Sequence, residues 1–431
     1  MKKIVSNVAV IGAGWAGCAA AVEATRRGHQ VTVFEASRTP GGRARRLDVT
    51  HDGQALALDN GQHILIGAYS ETLQLMQDVD VDVPASLHRM PLTLLFVDGS
   101  GLKLPELPAP LDALVGIVRS KGWTWADKFS LLKTAALWQL RNFECLPHQS
   151  VADVCSRVAP RIMTTLIEPL CISALNTPAD RASGQVFLRV LRDSLFSVTG
   201  GSNLLLPRVD LSALLPDAAL AWLGKQGGHA RSGVRVQSLQ LDADQRWHLA
   251  DAAGSALGTF DSVVLACPPL EAARLARSSA LPAIDWLARA EGLQYEAIAT
   301  VYAIASGCRL PQPMLALIAT AACPAQFVFD RGQLGGPKGL LAFVVSASQQ
   351  SSAELTAQVI AQANIQLDVG ELQVLQTVVE KRATFACTPG LRRPSQQIAP
   401  GLLACGDYLE GPYPATLEGA VRSGLQAARL L

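Results

Sequence analysis

Residues 8–17 read VAVIGAGWAG, and the reading of these ten positions decides how the rest of the chain is understood. Ile4, Val5, Val8, Ala9, Val10 and Ile11 make an apolar run suited to a buried strand, and Gly12-Ala13-Gly14-Trp15-Ala16-Gly17 follows with no spacer. Residues 18–27 have helical composition, Gly28 is placed to end that helix, and 31–34 (VTVF) form a second strand that terminates in Glu35. Strand, glycine turn, helix, strand and acid in this order are the dinucleotide-binding fingerprint. Gly12 permits the tight turn, Gly14 lets the backbone approach a pyrophosphate, and Gly17 lets helix and strand pack closely. Trp15 and Ala16 complete the turn at the helix N-terminus, which offers unpaired N–H groups and partial positive charge to phosphates. Glu35, with Ala36 beside it, is positioned to accept hydrogen bonds from ribose hydroxyls.

The chain has 431 residues, enough for two or three domains. Its 37 basic and 36 acidic side chains leave a net charge of +1 with no basic run, which sets aside nucleic acid as a partner. Charged residues are 17% and hydrophobic ones 49%, so a large core or an apolar binding surface is expected. Nine cysteines are scattered with no CxxC, which fits neither a metal cluster nor a disulfide framework and points to a reducing cytoplasm. No apolar run reaches the ~18–20 residues of a bilayer span. The opening MKKIVSNVAV has two lysines before an apolar stretch, as a signal peptide does, but the spaced glycines inside that stretch favour the nucleotide strand.

Beyond Glu35, Gly41-Gly42-Arg43 resembles the GGR segment of the amine oxidase and phytoene desaturase superfamily of flavoproteins, which lies along the FAD pyrophosphate and ribityl chain. The glycines would allow close backbone approach, and Arg43 or Arg45 would neutralise phosphate charge. At the far end, 399–407 (APGLLACGD) is a short apolar strand ending in Gly406-Asp407, and 415–424 (ATLEGAVRSG) opens a final helix. The resemblance gives Asp407 a ribityl hydroxyl and sets Thr416, Leu417 and Glu418 at the pyrimidine edge of the flavin. A helix N-terminus there stabilises the negative charge of reduced flavin.

Both ends thus supply one FAD site. The implied architecture is α/β: a Rossmann-like FAD-binding domain in three pieces, 1–85, 200–270 and 381–431, interleaved with an α+β substrate-binding domain from 86–199 and 271–380. In the middle piece Gly200-Gly201-Ser202 precedes a helical stretch, 234–239 (VRVQSL) and 260–265 read as strands, and Cys267-Pro268 follows. The resemblance puts Val236 against the adenine and Cys267 near the nucleotide. Residues 332–339 hold glycines but lack a strand–turn–helix setting and read as a loop, so no second nucleotide site is expected.

Residues 56–69, LALDNGQHILIGAY, place Asp59, Asn60, Gln62 and His63 inside an apolar, strand-like run. In a domain of this type that segment runs beside the isoalloxazine ring, with Gly61 letting the backbone pass close and Asn60, Gln62 and His63 offering hydrogen bonds to flavin or substrate. DNGQH, GAGWAG, GGRA and GDYLEGPYPATLEGAVRSG together resemble the hydroxysqualene dehydroxylases, FAD enzymes of hopanoid synthesis. The implied reaction takes a lipophilic isoprenoid, hydroxysqualene, to squalene and water, with hydride from reduced flavin. A residue must protonate the leaving oxygen, and the candidates are His63, Asp59 and Glu410. The electron donor is unidentified, a partner reductase or reduced nicotinamide. A polyene desaturase would use nearly the same sites with oxidised FAD. An amine oxidase is disfavoured because Thr416 stands where those enzymes place a cage aromatic. A flavin-bearing lipid carrier would lack polar groups beside the ring, and DNGQH argues against it.

The stretch 104–140 breaks at Pro105, Pro108 and Pro110 and is then helical and very apolar, with Lys121, Trp123, Trp125 and Lys128 clustered between two helices. Tryptophan flanked by lysine beside an apolar helix suits peripheral contact with a bilayer; two core helices over the active site are the other reading. The expected location is the cytoplasm, at the inner face of the membrane if this segment meets lipid.

Overall fold

Asn7–Ile11 pairs in parallel with Gln30–Glu35 on one side and with Ser262–Leu265 on the other. A strand covered on both faces needs a continuous apolar run rather than alternation, and VAVI supplies it. The computed structural model describes residues 6–431 apart from 52, 197–198 and 349, so Ile4 and Val5 of the expected strand lie outside the described residues. His229–Ser232 extends the sheet beyond Gln30–Glu35, and Leu402–Ala404 extends it beyond Ser262–Leu265, both in parallel; Gln397–Ala399 closes the edge antiparallel. The six strands therefore come from stretches scattered over nearly the whole chain, and the architecture is the interleaved Rossmann-like α/β fold that the glycine motif implies.

Helix Trp15–Arg26 returns the chain from the first strand to the second and is buried along most of its length by alanines and Cys18. The last helix, Leu417–Arg429, lies against it. At the crossing, a Cβ on Gly424 would stand 2.1 Å from the Ala16 carbonyl oxygen, so the two backbones meet where only glycine fits.

A second layer is an antiparallel sheet in the order Met314–Ala316, Phe327–Asp330, Leu340–Ser346, Tyr295–Ala305, Leu372–Phe385. Alternation divides its faces. Val301, Phe343 and Val345 pack beneath Leu355, Val359 and Ala363 of helix Ser352–Gln366. Tyr302, Phe327, Phe329 and Val344 face the other way and join the main core, which runs on to Ile11, Phe34 and Leu265 of the nucleotide sheet.

The two expected domains share strands. Leu65–Ile66, Leu204–Pro207 and Leu87–Met90 form one small sheet that straddles the 85/86 boundary, and Leu372–Phe385 runs through 380/381. Two expected strands differ from the sequence reading. Residues 234–237 carry no strand: His229–Ser232 pairs with Gln30–Glu35, Gly233 turns at φ +72°, and Ser238–Leu241 begins a separate meander with Trp247–Ala250 and Ala256–Phe260. Residues 260–265 likewise divide at Asp261 between that meander and the parallel sheet. The strands fall in the right stretches, but sheet partners decide their ends.

Gly424→Ala should lower stability by about 1–3 kcal/mol, the usual cost of overpacking a closed contact. Thermal unfolding read beside the exposed control Gln426→Ala checks this; an unchanged midpoint would mean that the two helices separate without cost.

Candidate functional site

The turn after the first strand is shaped by absent side chains. Gly12 holds φ +115°, and a Cβ there would lie 2.4 Å from the Ala266 oxygen; one on Gly17 would lie 2.0 Å from the Gly12 oxygen. The facing wall is Gly41-Gly42: the Gly41 N–H donates to the Ala13 oxygen at 2.8 Å, and a Cβ on Gly42 would come 3.3 Å from Gly14 Cα. The Trp15 indole N–H donates to the Ala44 oxygen at 3.1 Å and so staples the second loop over the first. Helix Trp15–Arg26 starts with no side-chain cap and no acid in its first turn, unlike the Ser- or Thr-capped helices Trp125–Leu140, Ser352–Gln366 and Leu417–Arg429. Uncapped N–H groups at Ala16 and Gly17 in a glycine-lined cleft suit a diphosphate. At the adjacent strand end Glu35 accepts from the Ala13 and Ser37 N–H groups, both at 2.7 Å, and each carboxylate oxygen retains acceptor capacity for a ribose hydroxyl. Ala36 follows it, exposed.

Arg43 does not stand ready for phosphate. Its Nη2 donates to Asp407 Oδ1 and its Nη1 to the Ala383 oxygen, both at 2.6 Å, while Arg45 donates to the Gly42 oxygen. The reason is that Asp407, only 8% exposed, needs a cation. Burial pulls the Arg43 guanidinium down, but Asp407 and Glu380 hold it above its ordinary pKa. Gly406 donates its N–H to Ser423 Oγ, and Thr416 caps the last helix by accepting from the Gly419 N–H; Leu417 is the first helical residue. Glu418 is buried with its carboxylate turned to helix Ser70–Asp78, accepting from Thr72 N and Oγ1 and from Glu71 N and pairing with Arg422. What Glu418 can offer a ligand is its first-turn backbone, not the side chain.

The polar run DNGQH leaves its strand in a bend: Gln54–Asp59 ends, residues 60–64 turn with Gly61 at φ +102°, and Leu65–Ile66 begins. A bend explains why polar residues interrupt the apolar pattern. Asn60 Nδ2 donates to the Arg43 oxygen at 3.0 Å and to Glu380 at 3.2 Å. The Gln62 N–H donates to Thr300 Oγ1, and its Nε2 to the His63 oxygen. His63 Nδ1 lies 2.8 Å from the Gly61 oxygen; a carbonyl only accepts, so Nδ1 carries the hydrogen and Nε2 is left as an acceptor. Burial holds His63 below its usual pKa, which keeps the ring neutral at pH 7. Asp59 Oδ1 accepts from the Leu211 N–H at 2.8 Å, and burial pushes this carboxyl up to about 6 against the opposing pull of that bond and of Arg331.

Gln62 Oε1, Tyr408 Oη and Tyr295 Oη are buried without a partner among the described residues. Unpaired buried polar atoms are costly, and both tyrosines lie close enough to Asp407 to feel its charge. The glycine cleft, the uncapped helix, Glu35 and these orphaned atoms together fit a flavin dinucleotide. The remaining expected residues are less direct. Val236 is buried with its carbonyl accepting from Arg274, and Cys267, adjoining Gly12, is a thiol that burial pushes up to about 12. Glu410 is exposed to water and is not among the buried groups beside the cleft. Glu380, Ala383, Thr300 and Tyr302 reach the site from the antiparallel sheet, and Arg393 donates to the Asp407 oxygen. No local motif marks any of them.

Asp407→Asn keeps the side-chain shape while leaving Arg43 without its countercharge. Flavin affinity should fall about tenfold or more, a loss in the range of a charge-assisted hydrogen bond. Release of fluorescent flavin on dilution reads this directly, and parental retention would separate Asp407 from the cofactor.

The sequence profile of the flavin containing amine oxidoreductases matches residues 15–431. The chain is 27% identical to the hydroxysqualene dehydroxylase of Rhodopseudomonas palustris over 99% of this chain and 98% of that protein. It is 25% identical to that of Sinorhizobium fredii over 98% of each. Similarity to the zeta-carotene desaturase of Zea mays is local, 37% identity over 18% of this chain and 13% of that one. Among solved structures, an oxidoreductase from Methanosarcina mazei superposes with a TM-score of 0.74 at 17% identity, covering 99% of this chain and 100% of that one. The chain belongs to the flavin containing amine oxidoreductase family and is an FAD-dependent oxidoreductase.

Proposed function

We propose that this enzyme removes the hydroxyl of hydroxysqualene reductively, giving squalene and water. The observation that carries the reading is coverage: the dehydroxylase of Rhodopseudomonas palustris aligns with 99% of this chain, the carotene desaturase of Zea mays with 18%. Bound and reduced, FAD supplies the hydride that ends on the carbon losing its oxygen. The protein's tasks are to protonate the departing hydroxyl, keep water from the allylic cation and fix the substrate carbon. One proton and one hydride enter as the C–O bond breaks, and the external reductant is reduced nicotinamide or a partner reductase.

The sheet face beside residues 59–63 carries Phe327, Phe329 and Val344, an apolar wall suited to an isoprenoid, with Thr300 and Tyr302 as its polar members. Neutral His63 with Nε2 as acceptor can orient the substrate hydroxyl but is a poor acid. Asp59 is the better acid. Its carboxyl, pushed up to about 6 by burial, carries a proton below that pH, leaving Oδ2 free to donate it while Oδ1 accepts from Leu211. Thr416, which caps Gly419, stands where an amine oxidase would carry a cage aromatic, and this argues against an amine substrate. A polyene desaturase, which would take hydride from its substrate, remains the second reading because of the local carotene desaturase similarity.

Anaerobically reduced holoenzyme mixed with hydroxysqualene should reoxidise with one squalene formed per flavin. Reduced flavin that persists, together with oxidised flavin that bleaches on a polyene precursor, would overturn the direction. A raised pKa means that the acid is present below about 6 and lost as pH rises through it. The single-turnover rate should therefore fall above that pH. Asp59→Asn should be about a hundredfold slower with that limb gone, whereas His63→Ala should slow the reaction and retain the limb. A wild-type profile flat through this range would remove Asp59 from the proton path.

A further inference from the structure

Among the described residues fourteen large apolar side chains stand exposed, and nine of them fall between Val97 and Leu146. That concentration is no scatter of single surface leucines, which would need no explanation. On helix Leu111–Arg119, the exposed Leu111, Leu114 and Val118 recur at i, i+3 and i+7 and so share one face, opposite the buried Asp112, Gly116 and Ile117. On helix Trp125–Leu140, Trp125 is 72%, Phe129 69% and Leu140 80% exposed, while Leu131, Thr134 and Trp138 are buried on the other side. The usual amphipathic rule is doubled: each helix has one apolar face in the core and another in solvent.

The two outward stripes are held together. Lys128 is buried, its Nζ donating to the Val118 oxygen at 2.8 Å at the end of the first helix and lying 5.0 Å from the Trp125 ring at the start of the second. Trp123 turns inward and donates to Thr165 Oγ1, so of the tryptophans flanking Thr124 one anchors the connection and the other is displayed. The lysine–tryptophan cluster seen in the sequence is thus two devices, a buried clasp of Trp123 and Lys128 and an exposed pair of Lys121 and Trp125.

Charge identifies what meets this face. The two helices and their connection, residues 111–141, hold five basic side chains, Arg119, Lys121, Lys128, Lys133 and Arg141, against two acidic ones, Asp112 and Asp127, in a chain that is otherwise balanced. Asp112 is buried, Asp127 is tied in the capping box of Thr124, and every one of those bases except Lys128 is exposed. A second copy docked symmetrically would set these like charges against each other. An anionic bilayer would neutralise them while taking up the leucines, Trp125 and Phe129, the arrangement of a helix lying in the interface plane. No helix of the described residues is long and apolar enough to cross a membrane.

We propose that helices Leu111–Arg119 and Trp125–Leu140 form a docking face for anionic phospholipid bilayers. Trp125 and Phe129 enter at the headgroup–acyl boundary, and Arg119, Lys121 and Lys133 rest on the headgroups. The inference stands on this surface alone and holds for any substrate of the enzyme.

Vesicle flotation of the full-length, FAD-loaded protein tests it. Vesicles of phosphatidylcholine with phosphatidylglycerol should carry the protein, pure phosphatidylcholine should carry much less, and molar salt should weaken the former. Trp125→Ala with Phe129→Ala should weaken binding about tenfold or more, and Lys121→Glu with Lys133→Glu by about fivefold per charge, with flavin content and melting midpoint unchanged. Independently of any destabilised variant, brominated lipid should quench wild-type tryptophan fluorescence, and Trp125→Phe should abolish most of that quenching. Failure to bind anionic vesicles, or binding and quenching that survive these substitutions, would overturn the proposal. So would a dimer in sedimentation that the Trp125/Phe129 variant dissolves while vesicle binding persists.

Discussion

Arg43 and Asp407 meet at 2.6 Å across a sequence separation of 364 residues, and the geometry of the cofactor site hangs on that pair. The same guanidinium donates to Ala383 of the long antiparallel strand, and the Arg43 carbonyl accepts from Asn60, which also holds Glu380. One residue therefore links the glycine-lined loop, the C-terminal segment, the polar bend and the second sheet. With Arg43 partly exposed, the net free energy of the pair is modest. Its effect is one of register. It determines which backbone atoms face one another in the cleft, much as buried polar groups can select one arrangement among several of similar stability.

The two sheets divide the chemistry. The parallel sheet ends in loops rich in uncommitted N–H groups and offers polarity, whereas the antiparallel sheet turns an apolar face toward the same space. The bend at 60–64 stands between them. Its neighbours respond to the shared low-dielectric setting in the same sense: burial raises the Asp59 carboxyl and depresses the His63 imidazole, so both move toward their uncharged forms. Groups at the bend that are drawn toward neutrality reserve electrostatic stabilisation for charge that develops during reaction.

The nucleotide half was legible because its determinants are local. A glycine at φ +115° against the Ala266 carbonyl admits no other residue, so Gly12 announces itself in any sequence of this fold. The strand VAVI is equally plain, because full burial demands an unbroken apolar run. The second sheet's contribution was not legible. Thr300, Tyr302 and Glu380 sit in strands with no motif, and only pairing across the core brings them to the bend. Residue type suggests phosphate for Arg43, but a buried countercharge has the nearer claim on its side chain; Glu418, set at the helix start by resemblance, turns its carboxylate to the amides of Glu71 and Thr72. Strand ends around 234 and 261 were fixed by which sheet the backbone joined, which propensity does not encode.

The docking of Leu417–Arg429 on Trp15–Arg26 also has a temporal side. The cleft is completed only when Asp407 and helix Leu417–Arg429 meet the GAGWAG loops, with 364 residues between Arg43 and Asp407, so the turn leaves the ribosome well before the partner that covers it. Folding of such a chain is dominated by long loop closures and is correspondingly slow. Until the final helix arrives, the alanine-rich back of Trp15–Arg26 is exposed apolar surface and a hazard for misassembly. Assembly of the complete cleft therefore waits on contacts that are distant in sequence.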